Sequence, residues 1–256
     1  MKHPFPRFLF FIAFVLFAPI CLPQSPAVKD LLQSLKPVEE MFAATGMRIM
    51  KVQPREADKL FDEFISSGSL DLGGLDFYEL IGNEDELKEY LLKIFSIKFE
   101  EGMGFIELNY QYLLNIWGEY LSEEYREYFI LATEEFMYDA AFMVSHDEVA
   151  AKIVGREVYC VKYRGTIYAQ QMEEIYKILL YFYLGGIDNS PVFDYDTEIL
   201  TEEAKLSFEN TIRSYPGTEI ATVTKRYYEA LLKNNFKRSK LSDQIIEPYA
   251  PKYGEW

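Results

Sequence analysis

Hydrophobic side chains recur at helical spacing along the chain from Val28 to its end. In most segments they return every three or four residues, which is the spacing of one buried helix face. Leu87, Tyr90, Leu91 and Ile94 form one such series. The pattern predicts an all-α fold, mostly helical, arranged as a packed bundle or as an array of helical hairpins.

Proline, glycine and capping residues divide this pattern into individual helices. Pro37 and Pro54 are expected to begin the first two, because proline fits the first turn of a helix. Ser122 and Ser145 are expected to cap later helices, and Gly155 to end the one that Ser145 begins. The predicted helices cover about residues 37–51, 54–66, 83–99, 105–121, 122–143, 145–155, 175–184, 202–214 and 219–234, and the tail 241–256 is expected to lie extended.

The run from Ile175 to Leu184 is expected to form the buried centre of the fold. All of its residues except Lys177 are hydrophobic, as in a helix that is buried on most sides. Gly185 and Gly186 follow it directly and are expected to end the helix.

Two stretches of the sequence bear on how the chain is divided. Val158–Tyr168 crowds β-branched and aromatic residues around Arg164-Gly165, which is typical of a small β-hairpin. The alternative, which we favour, is a helix that ends at Gly165 and a new helix capped by Thr166.

Ser66–Gly74 is rich in serine and glycine, and it is a candidate subdomain boundary in an otherwise single helical domain, residues 28–256.

The amino terminus has the order of a secretory signal peptide. Lys2 and Arg7 precede the uncharged run Phe8–Phe17, which is too short to span a membrane, since a span needs about 20 apolar residues. Cleavage after Ala27 removes residues 1–27, whereas the rival interpretation attaches a lipid to Cys21, as in bacterial lipoproteins. Either predicts an exported protein, periplasmic, envelope-associated or secreted, with no transmembrane span in the mature chain.

Charge and composition exclude several classes of function. The chain carries 41 acidic and 26 basic side chains, a net charge of −15, so nucleic acid is not expected as a partner, because binding phosphates requires a cationic surface. With only two histidines and two cysteines, the chain offers no histidine zinc site and no cysteine framework. We expect no cofactor, and no catalytic residue can be named.

Two charged segments are candidate binding sites. The loop residues Asp188, Asp194, Asp196 and Glu198 have the alternating carboxylates with which a loop binds calcium. The alternative, which the acidity of the whole chain favours, is a solvated acidic loop. A basic group near the C-terminus suits an acidic partner or an anionic membrane, or else only offsets a helix dipole. This basic patch consists of Lys233, Lys237, Arg238 and Lys240.

His146 and Cys160 are expected to have structural roles. His146 is predicted to be an exposed first-turn residue next to Asp147; its alternative is a metal site with Glu135 and Asp139. Cys160 has no basic neighbour in the sequence and is predicted to be a buried thiol.

Residues 201–234 contain the pattern of Ala204, Phe208 and Pro216, followed by Ala221 and a tyrosine-rich helix. The segment resembles the second helix of a tetratricopeptide repeat and, in its Tyr-Pro-Gly-Thr run, the repeats of bacterial periplasmic proteins that assist outer-membrane assembly. The resemblance implies a helical scaffold that holds protein partners without catalysis.

These observations predict an exported, non-enzymatic helical protein that acts as a scaffold or interaction module in the cell envelope. Its partner is expected to be a protein or the envelope surface. Two alternatives stay open: a secreted hydrolase of an extracellular polymer that uses unidentified carboxylates, and a binding module stabilised by calcium at the 188–198 loop.

Overall fold

The computed structural model describes residues 26–68, 94–100 and 103–251. The chain divides into two compact units, one ending at Ser122 and one beginning at Glu123. The predicted signal segment up to residue 25, including Cys21, and most of the predicted boundary at 66–74 lie outside the described residues.

The described residues are mostly helical, which confirms the all-α fold class. The first unit contains α1 (Pro26–Ile49), α2 (Pro54–Gly68), β1 (Phe95–Glu100), β2 (Met103–Leu108) and α3 (Tyr110–Trp117). The second contains α4 (Glu123–Ala132), β3 (Met137–Tyr138), β4 (Ala141–Phe142), α5 (His146–Lys162), α6 (Ile167–Gly185), α7 (Glu202–Ser214), α8 (Glu219–Lys233), α9 (Lys240–Ile246) and a 3-10 helix (Glu247–Tyr249). No described helix is long and apolar enough to cross a membrane.

Helix α1 runs through the proline that was expected to begin it. Pro37 lies inside α1, so the predicted helix start there is wrong. Proline removes one helix hydrogen bond, but Leu35 and Val38 on either side of it are buried, so the packed face of the helix continues past Pro37. Pro54 does begin α2, with Glu56 in its first turn, as predicted.

Trp117 is the centre of the aromatic core of the first unit. Its ring stacks on Phe42 at a centroid distance of 4.6 Å and meets the edges of Phe61 and Phe64 at 5.9 and 5.3 Å. Gly46 allows this packing, since a Cβ atom at that position would lie 3.0 Å from the indole Nε1.

A β-hairpin replaces the ends of two predicted helices in the first unit. Strands β1 and β2 pair antiparallel, with Phe95 opposite Leu108. The predicted helices over 83–99 and 105–121 are therefore wrong for residues 95–99 and 105–108. Within β1, Phe95, Ile97 and Phe99 alternate with Ser96, Lys98 and Glu100. This period of two favours a strand, and helix α3 begins only after Asn109, whose side chain accepts a hydrogen bond from the backbone N–H of Tyr112.

Helix α4 is much shorter than the predicted helix from Ser122 to Met143, which is therefore wrong beyond Ala132. The chain instead leaves the helix because side chains of α5 bind the next residues. The carboxylate of Glu134 pairs with Lys152 and Arg156, and the same two cations lie 5.4 and 5.1 Å from the ring centre of Phe136. Contacts distant in sequence thus override the local helical pattern.

Strands β3 and β4 form a short hairpin after this ion pair. Its two turn residues, Asp139 and Ala140, both have positive φ angles, of 47° and 50°. That is the backbone geometry of the tight turns whose twist matches paired strands.

Helices α5 and α6 form a hairpin through the stretch that allowed two interpretations. Helix α5 continues to Lys162, Gly165 turns with φ of +90°, and the Thr166 hydroxyl accepts the Ala169 N–H to cap α6. The favoured helical interpretation is confirmed and the β-hairpin is wrong.

At the start of α5, Ser145 and Glu148 form the predicted capping box. Gly155 does not end α5 as predicted, because Ile153, Arg156 and Tyr159 keep one face of the helix buried on both sides of it.

Helix α6 is the centre of the second unit, as predicted. Leu180, Tyr183 and Leu184 are fully buried in its core, and the Tyr183 hydroxyl lies 3.0 Å from Ser207 Oγ and 2.9 Å from Thr211 Oγ1 on α7. Gly186, with φ of +84°, follows the last turn.

Helices α7 and α8 match the predicted segments 202–214 and 219–234 within one residue. The extended tail is wrong for the described residues, because α9 and the 3-10 helix occupy Lys240–Tyr249. Ser239 and Ser242 cap α9 reciprocally, and Ile246 is buried against the core of the second unit.

Candidate functional site

A groove of about 510 Å³ lies on the second unit, between the hairpin of α5 and α6 and the start of α8. We call it the α5–α6–α8 groove. The turns at Gly165 and Gly217, each with φ of +90°, form part of its wall. Its lining side chains come from α5 (Glu157, Cys160, Val161), the α5–α6 turn (Arg164), α6 (Ala169, Gln170, Glu173, Tyr176, Lys177) and the start of α8 (Thr218, Glu219, Thr222).

Glu157 connects two walls of this groove. Its carboxylate accepts hydrogen bonds from the backbone N–H groups of Glu219 at 2.6 Å and Ile220 at 3.1 Å. These amides lie in the first turn of α8 and have no hydrogen-bond acceptor within the helix itself. The positive end of the helix dipole there favours a negative charge. Glu157 therefore fixes α5 to the start of α8.

Glu219 is itself tied to the C-terminal part of the chain. The Tyr249 hydroxyl donates to Glu219 Oε1 at 2.8 Å. Among the described residues, the second oxygen of this carboxylate, Oε2, has no hydrogen-bond partner. Glu219 thus keeps acceptor capacity at the edge of the groove.

Tyr176 lies at the floor of the groove and is only 3% exposed. Its hydroxyl has no hydrogen-bond partner among the described residues. Burial raises the pKa of Tyr176, and the nearby charges of Glu219 and Glu157 raise it further. An unpaired buried hydroxyl costs stability, so Tyr176 is a polar group that a ligand would satisfy.

Cys160 lines the same groove and is half-buried, where full burial was expected. Its thiol donates weakly to the Ala169 carbonyl at 3.7 Å. Burial, followed by the charge of Glu173, raises the pKa of Cys160 to about 11. The thiol is therefore protonated at neutral pH and is not an activated nucleophile.

Exposed apolar side chains border the groove. Val161 lines it, and Val158 lies one helical turn earlier on the same face of α5. Ile167 lies one turn before Gln170 on α6. These three side chains are all more than half exposed.

The acidic loop lies at a second cavity, of about 540 Å³. Asp188, Asp194 and Glu198 line it, but Asp196 does not. The Asp194 carboxylate accepts hydrogen bonds from the N–H and hydroxyl of Thr197, both at 2.8 Å, and these bonds lower the pKa of Asp194. Its oxygen is thus used to stabilise the turn, and no three His, Cys, Asp or Glu side chains within the described ranges form a group suited to a metal ion.

The basic patch is exposed, but its members differ in their contacts. Lys233, Lys237 and Lys240 point to solvent, whereas Arg238 binds Asp243 Oδ1 at 3.0 Å and lies 5.8 Å from the ring centre of Phe193. Arg238 therefore has a structural role within the patch.

His146 begins α5 as expected, but its predicted exposure is wrong, because the residue is 8% exposed. Its ring lies between Phe142 and Tyr183, at centroid distances of 5.7 and 5.8 Å. Burial lowers the pKa of His146, although Glu203 and Asp147 act in the opposite direction. The metal-site alternative with Glu135 and Asp139 is not formed, since Asp139 lies in the β3–β4 turn and neither residue groups with His146 as a metal site.

The groove residues were missed in the sequence because they do not form a motif. Glu157 and Glu219 are separated by the end of α5 and by all of α6 and α7. Tyr176 was assigned to the core on its hydrophobic neighbours alone. The available signals were the glycines at 165 and 217, which mark the two turns that form the groove wall.

Comparisons of this chain with protein-family models, with curated proteins and with solved structures return no match.

Proposed function

We propose that this protein is an exported, non-enzymatic interaction module of the cell envelope, and that the α5–α6–α8 groove is where it binds a protein partner. The observation that carries this proposal is the apolar border of the groove. Single exposed apolar residues are ordinary on protein surfaces, but Val161 lines this groove, and Val158 and Ile167 each lie one helical turn from a lining residue. An apolar patch with a polar surround is typical of protein-binding surfaces.

Two features of the sequence give the proposal its location and its class of partner. The charge order of the first residues, with Lys2 and Arg7 before Phe8–Phe17, supports export. The resemblance of residues 201–234 to tetratricopeptide repeats supports a scaffold that holds other proteins.

The proposal is tested by placing a photo-crosslinking amino acid at Val161 in the source cell. We expect illumination to give one discrete crosslinked product, containing this chain and a single envelope protein. The matched control is Leu206 on α7, which is 56% exposed against 59% for Val161 and does not line the groove. The same product at both positions, or none at Val161, contradicts the proposal.

A substitution then measures the contribution of the groove border. Val161→Asp introduces a charge at an exposed position, so the fold is expected to persist. It should weaken binding of the partner identified by crosslinking at least about tenfold, because the contact would bury an unpaired carboxylate against an apolar surface. An unchanged Kd would place the partner elsewhere on the protein.

A further inference from the structure

The floor and one wall of the α5–α6–α8 groove have unused capacity to bind a cation. The Tyr176 hydroxyl is buried and, within the part of the chain that the structure describes, has no hydrogen-bond partner. Glu219 Oε2 likewise accepts no hydrogen bond from the described residues. Glu157 completes the set, since each carboxylate oxygen can accept more than the one bond it receives here.

The site is not suited to an anion. The amides at the start of α8 are the groups that would attract a negative ligand, and the Glu157 carboxylate already occupies two of them. A further negative group would meet Glu157 and Glu219 and be repelled. The next charged group that this wall accepts is therefore positive.

The two cations that line the groove do not fill this position. Lys177 Nζ is bound by Glu173 Oε1 at 2.9 Å and Glu174 Oε1 at 3.0 Å, on the outer part of α6. Arg164 lies in the α5–α6 turn and forms no salt bridge with a described residue. Three carboxylates and two cations line the groove, namely Glu157, Glu173 and Glu219 against Arg164 and Lys177.

We infer that the groove receives a lysine side chain of the partner protein. Its ammonium group would donate to the Tyr176 hydroxyl oxygen and to the carboxylates of Glu157 and Glu219, and its methylene chain would contact Val161 and Ala169. This inference rests on the proposed function and adds the chemistry of the bound residue. It also gives the buried Tyr176 hydroxyl a partner, which no described residue supplies.

Cys160 provides a reporter inside the groove. A ligand that fills the groove should shield this thiol from iodoacetamide. We would treat the full chain at pH 8.5 with iodoacetamide and quantify the alkylated Cys160 peptide by mass spectrometry, with and without Nα-acetyl-lysine methylamide. The comparison compound is Nα-acetyl-norleucine methylamide, which has the same methylene chain without the charge, at matched ionic strength.

We expect the lysine compound to slow alkylation of Cys160 several-fold at saturation and the norleucine compound to leave the rate unchanged. Tyr176→Phe and Glu219→Gln should each raise the half-protecting concentration of the lysine compound about tenfold, as loss of a hydrogen bond to a charged group does. Tyr176→Phe removes a hydroxyl that bonds to no described residue, so the variant is expected to fold. The control is Glu209→Gln, because Glu209 also accepts a tyrosine hydroxyl, that of Tyr228, but lies outside the groove.

Equal protection by both compounds, no protection by either, or no effect of Tyr176→Phe and Glu219→Gln would overturn the inference. These outcomes are distinguishable from failure of the proposed function. If the crosslink at Val161 identifies a partner and the lysine compound gives no protection, the partner binds the groove without a lysine. If both experiments fail, the groove is not the binding site.

Discussion

His146 is a buried histidine that the fold keeps neutral. Its ring packs between Phe142 and Tyr183, and its Nε2 atom has no partner among the described residues. Glu203 Oε1 is the nearest carboxylate oxygen, 3.9 Å from Nδ1, and Asp147 is adjacent in sequence. These two carboxylates favour the charged ring, but burial outweighs them and lowers the pKa below its ordinary value of 6.5.

We predict that acid destabilises the protein through His146. The unfolded chain binds a proton near pH 6.5 and the folded chain only at lower pH, so the stabilising contribution is complete above pH 6.5 and is lost as the pH falls through the folded-state pKa. Urea unfolding at pH 7.5 and pH 5.0 measures the loss. In His146→Phe, which keeps a ring between the same neighbours, the loss should be smaller, by about 1.4 kcal/mol for each unit of pKa shift.

Other groups titrate in both proteins and cancel in this comparison. Glu134 and Glu148 are examples. Burial raises the pKa of Glu134, but the hydrogen bonds and charges of Lys152 and Arg156 lower it overall, and hydrogen bonds from Ser145 lower the pKa of Glu148. An identical loss of stability in the wild type and in His146→Phe would show that His146 does not titrate in this range.

At the level of elements, the end of α6 requires glycine at position 186, because the following loop packs closely against it. A Cβ atom on Gly186 would lie 2.9 Å from the backbone nitrogen of Val192, and the residue has φ of +84°. Gly165 between α5 and α6 has a similar φ of +90° but nothing within 4 Å. Replacing either glycine with alanine would therefore strain the backbone, but only at Gly186 would the added methyl group also collide with a neighbouring residue.

We predict that Gly165→Ala costs about 1–2 kcal/mol, the strain of a left-handed residue with a side chain. Gly186→Ala should cost about 1–3 kcal/mol more, because the loop must move away from the added methyl group. Urea unfolding of both variants gives the difference directly. Equal costs would mean that the loop after α6 accommodates the methyl group freely.

At the scale of the whole molecule, the unit that begins at Glu123 contains its own core. Its buried hydrophobic cluster extends from Phe136 to Ile246 and is built around α6. The groove and the acidic loop both belong to this unit. A domain with its own core is expected to fold alone.

We predict that a chain of residues 123–256 folds by itself and unfolds in one cooperative transition. Far-UV circular dichroism during heating tests this. A shorter chain that begins at Val149 lacks the contacts of Glu134 and Phe136 with Lys152 and Arg156, and its Tm should be lower by at least about 4 °C. If the chain of residues 123–256 shows no cooperative transition, the unit requires residues before Glu123 to fold.

Local signals in the sequence predicted the parts of the fold that depend on them. The Ser145 capping box, the cap at Thr166 and the glycines after Leu184 act over a few residues and were found correctly. The predicted end of α4 was wrong, because the true end depends on the ion pairs of Glu134 with Lys152 and Arg156, which lie on another helix. The groove was missed for the same reason, since the two hydrogen bonds that Glu157 accepts from the amides of Glu219 and Ile220 exist only once α5 and α8 are packed.

The bond from Glu157 to the start of α8 also has a consequence for the kinetics of association. Because the two hydrogen bonds accepted by Glu157 and the one from Tyr249 to Glu219 connect the elements around the groove in the free protein, a ligand does not have to order them. Little conformational entropy is then lost on docking, and encounter does not wait for a slow rearrangement. Variants at the groove border should therefore differ mainly in how long the complex lasts, and only slightly in how fast it forms.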